Sequence, residues 1–205
     1  MTAVPVGHDP APEPPQTWAY MLNAWHELDV PEGWRAEIDE GQIVLVPPPH
    51  RHHNAIAELV QHRLYRGLPE ELGIYQTLGL HIAPLDKLYV PDLVIVPRET
   101  VLAGDPDRSE PVDAALAELI VEVTSPHNAA DDRTRKYRAY ALSLVPLYLL
   151  IDRYDRRGPT VTLFSAPQDG VFKHSQPVPF GTPLALPAPF GVTLDTGAFP
   201  GAGAR

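Results

Sequence analysis

Two apolar stretches, residues 88–97 and 118–124, have the length and composition of buried strands, yet each holds an acid inside it, Asp92 and Glu122. A carboxylate among Leu, Ile and Val side chains is costly unless something pairs with it. That requirement constrains the fold more than any other feature, because the strands must bring their acids to a shared partner while the rest of each run stays covered. A third run, 147–151, is apolar throughout, as expected of a strand covered on both faces. Covering helices are available: residues 51–68 place Ile56, Leu59, Val60 and Leu64 at helical spacing, and 128–143 read as a second long helix. Strands alternating with these helices predict an α/β (α+β) fold, a mixed β-sheet flanked by helices.

A hard divalent cation suits two such carboxylates. Mg²⁺ takes oxygen ligands in octahedral geometry, commonly one or two carboxylates with water and substrate phosphate completing the shell. Asp92 and Glu122 meet that minimum, for Mg²⁺ or Mn²⁺. Lys136 follows on the next helix, and long helical side chains lean toward the helix N-terminus, so a lysine two turns in can face the strand end it came from. An ammonium there would act on the attacking water and offset charge building on a phosphate. Each residue has a plainer reading. Asp92, after a proline, suits a local strand-end role, and Glu122 suits an ion pair with Arg133 or Lys136.

Pro91-Asp92, the stretch Ile120-Val-Glu-Val-Thr-Ser-Pro126, then Asp132, Lys136 and Tyr140, and finally Val145-Pro-Leu-Tyr-Leu-Leu-Ile-Asp152 resemble the Uma-type restriction endonucleases, a bacterial family within the PD-(D/E)XK nuclease superfamily. The likeness runs from about residue 34 to about residue 164. It implies a restriction-endonuclease-like fold acting on DNA phosphodiester bonds, with a metal held by Asp92 and Glu122 and a backbone carbonyl near Val123 as a further ligand. The superfamily's lysine usually lies two residues after the Glu, where this chain has Thr124; the Uma-type pattern moves it to the following helix, which selects Lys136. The same resemblance places His53 near the metal or the scissile phosphate and makes Glu58 a third acid reaching the metal, with a solvent-facing Glu58 as the alternative. Tyr140, four residues after Lys136, is expected to pack beside it. Leu144, Leu147 and Leu149 stand where the family tends to have Gly, Glu and Trp.

A chain of 205 residues, 44% hydrophobic, forms one domain with a sizeable core. Residues 1–15 hold five prolines and read as a disordered tail, 16–196 as the nuclease-like domain and 197–205 as a flexible end. Hairpins are expected at 34–46 and 160–176, further strands near 74–82 and 192–194, and a polar loop through Gly104. Cysteine is absent, which excludes disulfides and thiolate chemistry and fits a reducing cytoplasm. No signal peptide or membrane span is legible, so the expected protein is soluble and cytoplasmic, with no membrane role. The cluster His50-Arg-His-His53 matches no zinc spacing.

A formal charge of -10 opposes nonspecific affinity for nucleic acid, which rests on Lys and Arg. Seven of the sixteen basic residues nevertheless fall between 131 and 157, and Arg133, Arg135 and Arg138 are the expected DNA contacts. A solvated helix face is the plain alternative. The rival to a nuclease is a catalytically silent nuclease-fold module that binds nucleic acid or protein, supported by the acidic charge and by the lack of a readable DNA-recognition motif. A homodimer is compatible with either.

Overall fold

The run at 88–97 breaks at Pro91, and the break divides the chain between two sheets. In the computed structural model, which describes residues 17–105, 110–126 and 128–201, the first half comprises α1 (Trp18–His26), β1 (Arg35–Asp39), β2 (Gln42–Val46), α2 (Arg51–Leu64), β3 (Leu72–Tyr75), β4 (Leu80–Ile82), β5 (Lys87–Tyr89), β6 (Leu93–Pro97), α3 (Arg98–Leu102) and β7 (Val112–Asp113). The second half comprises β8 (Leu119–Val123), α4 (Ala129–Asp131), a π-helical turn (Asp132–Lys136), α5 (Tyr137–Leu142), β9 (Leu147–Asp152), β10 (Thr160–Gln168), β11 (Val171–Pro179), β12 (Leu184–Ala185) and β13 (Thr193–Leu194). Five strands pair in the order β2-β1-β5-β4-β7 and six in the order β11-β10-β9-β8-β6-β3. Pro91 has no amide to donate, so pairing stops there: β5 stays with the smaller sheet and β6 joins the larger. The expected strand at 74–82 divides in the same way, into β3 and β4, across Thr77 with its left-handed φ of 59°.

The expected mixed sheet is the six-stranded one, with β8 and β9 parallel and the other pairs antiparallel. Alternation along its central strands assigns the two faces. Leu119, Val121 and Val123 of β8, with Leu93 and Ile95 of β6, pack against Ile56, Val60 and Leu64 of α2. Ile120, Val94 and Val96 face the other way, toward Ala139 and Tyr140 of α5 and Leu80, Ile82 and Tyr89 of the smaller sheet. Period two carries Glu122 onto this second face together with Ile120. The antiparallel register Leu93↔Val121 then sets Asp92, just ahead of β6, beside the end of β8 that holds Glu122.

Turn chemistry fixes both hairpins. Glu40-Gly41 joins β1 to β2 and Asp169-Gly170 joins β10 to β11, each pair with positive φ at both residues, the two-residue turn whose twist matches antiparallel strands. The short helix α3 and strand β7 fall where a polar loop was expected. Phe199 is buried in the main core and meets Phe180 edge to face at 5.5 Å, so packed chain continues beyond the boundary expected at 196. The expected tail at 1–15 and residues 202–205 lie outside the described residues. Leu147 and Leu149 are buried in the same core, which accounts for apolar side chains at those positions. Leu144 follows the end of α5 with φ 57°, a conformation that costs a side-chain-bearing residue about 1–2 kcal/mol and that glycine adopts freely. No described helix is long and apolar enough to cross a membrane.

Candidate active site

Asp92 is held from three directions. Its Oδ2 accepts the Val123 N–H at 2.8 Å and pairs with His53 Nε2 at 2.9 Å, while Oδ1 accepts Arg35 Nη1 at 3.2 Å. Strand β8, helix α2 and strand β1 therefore meet on one carboxylate. Burial alone would raise its pKa, but the hydrogen bond and charge of His53, the Arg35 guanidinium and the Val123 N–H reverse this and hold it below the usual range.

Glu122 Oε1 accepts the Tyr140 hydroxyl at 2.7 Å and Lys136 Nζ at 3.1 Å. The π-helical turn ends at Lys136, and such turns re-aim the side chains that follow. Burial, together with the carboxylates of Asp92 and Glu37, raises the Glu122 pKa against the pull of Lys136. The lysine itself lies 3.2 Å from Glu37 Oε1 and 3.9 Å from Asp132 Oδ1. Burial would lower its pKa; Glu122, Glu37 and Asp132 push it well above the ordinary value, so it stays an ammonium. Tyr140 does more than pack beside this lysine, because it donates to the same carboxylate oxygen.

Two members of the cluster have no role assigned from the sequence: Glu37, which carries no functional signal, and Asp132, which enters only among the residues of the family resemblance. Glu37, in β1, accepts the Val90 N–H at 3.0 Å and anchors Lys136. Its strand alternates Ala36 and Ile38 with Glu37 and Asp39, which reads as a hairpin with one wet face. Instead residues 36–39 are buried on both faces, since the smaller sheet packs against the helical turn that carries Lys136. Asp132 is fully buried, and neither carboxylate oxygen has a hydrogen-bond partner among the described residues. Burial and the charges of Glu122, Asp92 and Glu37 raise its pKa well above the ordinary value.

Glu37, Asp92, Glu122 and Asp132 thus surround two permanent cations, Arg35 and Lys136. Burial and the mutual repulsion of these carboxylates raise the Glu122 and Asp132 pKa values, while His53 and Arg35 hold Asp92 down. Among the described residues no three His, Asp or Glu side chains are grouped so as to enclose a metal by themselves. A Mg²⁺-type site asks for only one or two carboxylates, with water and substrate oxygens for the rest, and the all-oxygen pair Asp92 and Glu122 fits it.

A cleft of about 250 Å³ reaches the edge of this cluster at Arg35, Glu37, His53 and Lys136, and β2 residues with the prolines after them complete its lining; Asp92, Glu122 and Asp132 are buried outside it. A family model, Uma2, described as "Putative restriction endonuclease", matches residues 22–197. The chain belongs to the Uma2 family. No curated protein matches it. Among solved structures, a putative nuclease belonging to DUF820 from Anabaena variabilis is similar, at 18% identity and a TM-score of 0.64, over 85% of this chain and 90% of that one. At that identity the likeness is one of fold.

Within this Uma2 chain the residues expected at the site separate into two groups. Asp92, Glu122, Lys136 and His53 come together, and Val123 meets Asp92 through its N–H, which is a donor and not the carbonyl expected as a ligand. Glu58 does not; it is exposed on α2 and outside the cleft wall. The three arginines also diverge. Arg133 clamps Asp152 at 2.6 and 2.8 Å, Arg135 bridges Asp39 at 2.5 Å and Asp131 at 2.7 Å on the cleft wall, and Arg138 lies exposed against the β10–β11 turn. Asp152 also accepts the Tyr154 N–H at 3.0 Å, the turn role its position suggests.

Proposed function

We propose that this Uma2 protein is a metal-dependent endonuclease that hydrolyses DNA phosphodiester bonds. The observation that most supports it is the convergence of Lys136 and Tyr140 on Glu122, beside Asp92, buried next to a cleft that Lys136, Glu37, Arg35 and His53 line. Mg²⁺ or Mn²⁺ held by Asp92 and Glu122 would lower the pKa of a bound water and polarise the phosphate. The protein's own groups set the rest. Lys136 remains protonated and so donates to the water or to a phosphate oxygen rather than removing a proton, offsetting charge as the P–O bond to the sugar breaks. Glu37 fixes the ammonium, Tyr140 orients Glu122, and Arg35 with His53 locks the Asp92 rotamer.

Incubating supercoiled plasmid with the protein and Mn²⁺ or Mg²⁺ tests this directly. Wild type should cut it. Asp92→Asn and Glu122→Gln should not, and each should bind Mn²⁺ at least tenfold more weakly, about 1.4 kcal/mol, with the fold retained. Unchanged metal affinity in both variants would remove the site. The rival, a silent nuclease-fold module, draws on the ion pairs that already neutralise Arg133 and Arg135. Binding of DNA that ignores EDTA, without cleavage, would favour it.

A further inference from the structure

Four Arg and Lys side chains line the cleft, and three are matched: Arg35 with Asp92 at 3.2 Å, Arg135 with Asp39 at 2.5 Å and Lys136 with Glu122 at 3.1 Å. Arg153 is the exception, with no carboxylate in ion-pair range among the described residues although its exposure is only 6%. Its Nη2 donates to the Gly201 carbonyl at 3.2 Å and lies 3.4 Å from His52 Nδ1, and its buried Nε has no hydrogen-bond partner among the described residues. The adjacent Asp152 is paired with Arg133 through both oxygens and makes no ion pair with Arg153. A buried guanidinium without a counter-charge is costly, and the cost falls when an anion enters.

We propose that Arg153 forms an anion subsite in the cleft that holds a backbone phosphate of bound DNA next to the scissile one. This rests on the nuclease reading and specifies how the substrate is gripped. The guanidinium is positioned in advance. The Arg153 N–H donates to Thr124 Oγ1 at 3.0 Å, just past the end of β8, and the guanidinium lies 5.6 Å from the Tyr154 ring centre. Parallel pairing of Glu122 with Leu150 puts Arg153 three residues further along the neighbouring strand. With a rise of about 3.3 Å per residue and strands about 4.8 Å apart, its Cα is roughly 11 Å from that of Glu122, and the odd separation from Leu150 turns its side chain to the α2 face, beside His52, where it would meet a different phosphate from the one at Glu122. A planar fork of N–H donors matches two phosphate oxygens, whereas a lysine offers a point charge.

The test uses the full chain in phosphate-free buffer. Anisotropy of a labelled duplex with Ca²⁺, over a series of salt concentrations, is compared for wild type, Arg153→Ala and Arg153→Lys. A melting series with inorganic phosphate accompanies it. We expect Arg153→Ala to bind DNA at least tenfold more weakly with a log–log salt slope shallower by about one, and Arg153→Lys to keep the slope while recovering only part of the affinity. If the alanine variant does not fold, the lysine variant carries the comparison. Variants that bind DNA as wild type does overturn the proposal; phosphate stabilisation that depends on Arg153 would then identify a free-phosphate site instead. Should wild type bind no DNA, the nuclease reading fails on its own account. The phosphate series then decides whether the anion site survives, and no Arg153-dependent shift ends it too.

Discussion

Arg135 and Lys136, neighbours on one π-helical turn, feed two clusters of buried charge that are balanced in opposite ways. Around Asp39, one carboxylate receives Lys87 at 2.6 Å, Arg135 at 2.5 Å and the Tyr89 hydroxyl at 2.9 Å, with Glu40 also on Lys87. Around Glu122, the carboxylates of Glu37, Asp92 and Asp132 crowd together with Arg35, His53 and Lys136, burial and mutual repulsion raise the Glu122 and Asp132 pKa values, and Asp132 has no hydrogen-bond partner among the described residues. The first cluster is complete as it stands. The second keeps its carboxylates in mutual repulsion, which a cation held there under the proposed function would relieve.

Lys136→Met breaks this contrast most severely. It leaves three carboxylates without their ammonium, and removing one partner of a buried pair costs about 3–5 kcal/mol. Cleavage should fall on the order of 10²-fold or more, as for loss of one transition-state contact. Mn²⁺ should raise the melting temperature of the variant by more than it raises that of wild type, because the ion replaces the missing charge. Melting curves in EDTA and in Mn²⁺, beside single-turnover cleavage, read both effects. Equal shifts would show the two clusters to be alike, and full activity would return attention to Thr124 or His53.

Asp39→Asn probes the balanced side and should cost on the order of 2 kcal/mol at pH 7, the scale of hydrogen bonds to a charged group. Most of this belongs to Lys87 and Tyr89, since the half-exposed Arg135 contributes little. Burial opposes ionisation of Asp39, but Lys87, Tyr89 and Arg135 hold its pKa below the ordinary 3.8. Its stabilisation is therefore complete above that value and fades as pH falls through the lower folded-state value. Urea titrations from pH 7 down into the acid range should show wild type and variant converging, with no effect of Mn²⁺ on the gap. A gap independent of pH would refute the assignment.

The two clusters also differ in how far the sequence reveals them. Asp92 and Glu122 stand out because each interrupts an apolar run, and Lys136 because a helix returns it to the strand end. Glu37 and Asp39 stay hidden, since an alternating strand looks half wet until a second sheet and a helical turn cover it, and that cover depends on chain breaks at Thr77 and Pro91 that local propensity does not signal strongly. Arg153 is hidden for a related reason: its distinction is a missing partner, a property of the packed state alone. The first hairpin is legible from Gly41, a residue that takes left-handed backbone freely, whereas the second is legible from its strands alone, without its turn at Asp169-Gly170.

Tyr140→Phe sharpens the unbalanced side by a smaller step. The hydroxyl donates to a carboxylate that keeps Lys136 as a second donor, so the expected loss is about 1 kcal/mol of stability, with Mn²⁺ binding weakened by less than tenfold. Calorimetry and melting on this single variant measure both. A loss of metal binding as large as that of Glu122→Gln would make the tyrosine indispensable to the carboxylate's orientation.

Glu58→Gln should have the least effect, and it tests where the unbalanced cluster ends. Five residues after His53 on α2, Glu58 is turned about 140° from it at 3.6 residues per turn. His53 is buried against Asp92, while Glu58 is exposed and outside the cleft wall. Additional acidity next to Glu122 comes instead from Glu37 on β1 and Asp132 on the π-helical turn. The variant should therefore change stability by no more than about 0.5 kcal/mol, as for an ordinary surface position, and leave Mn²⁺ affinity within about twofold. A tenfold weakening would mean that α2 swings its acid into the site when the ion binds, and the metal centre would then extend beyond the pair on β8 and ahead of β6.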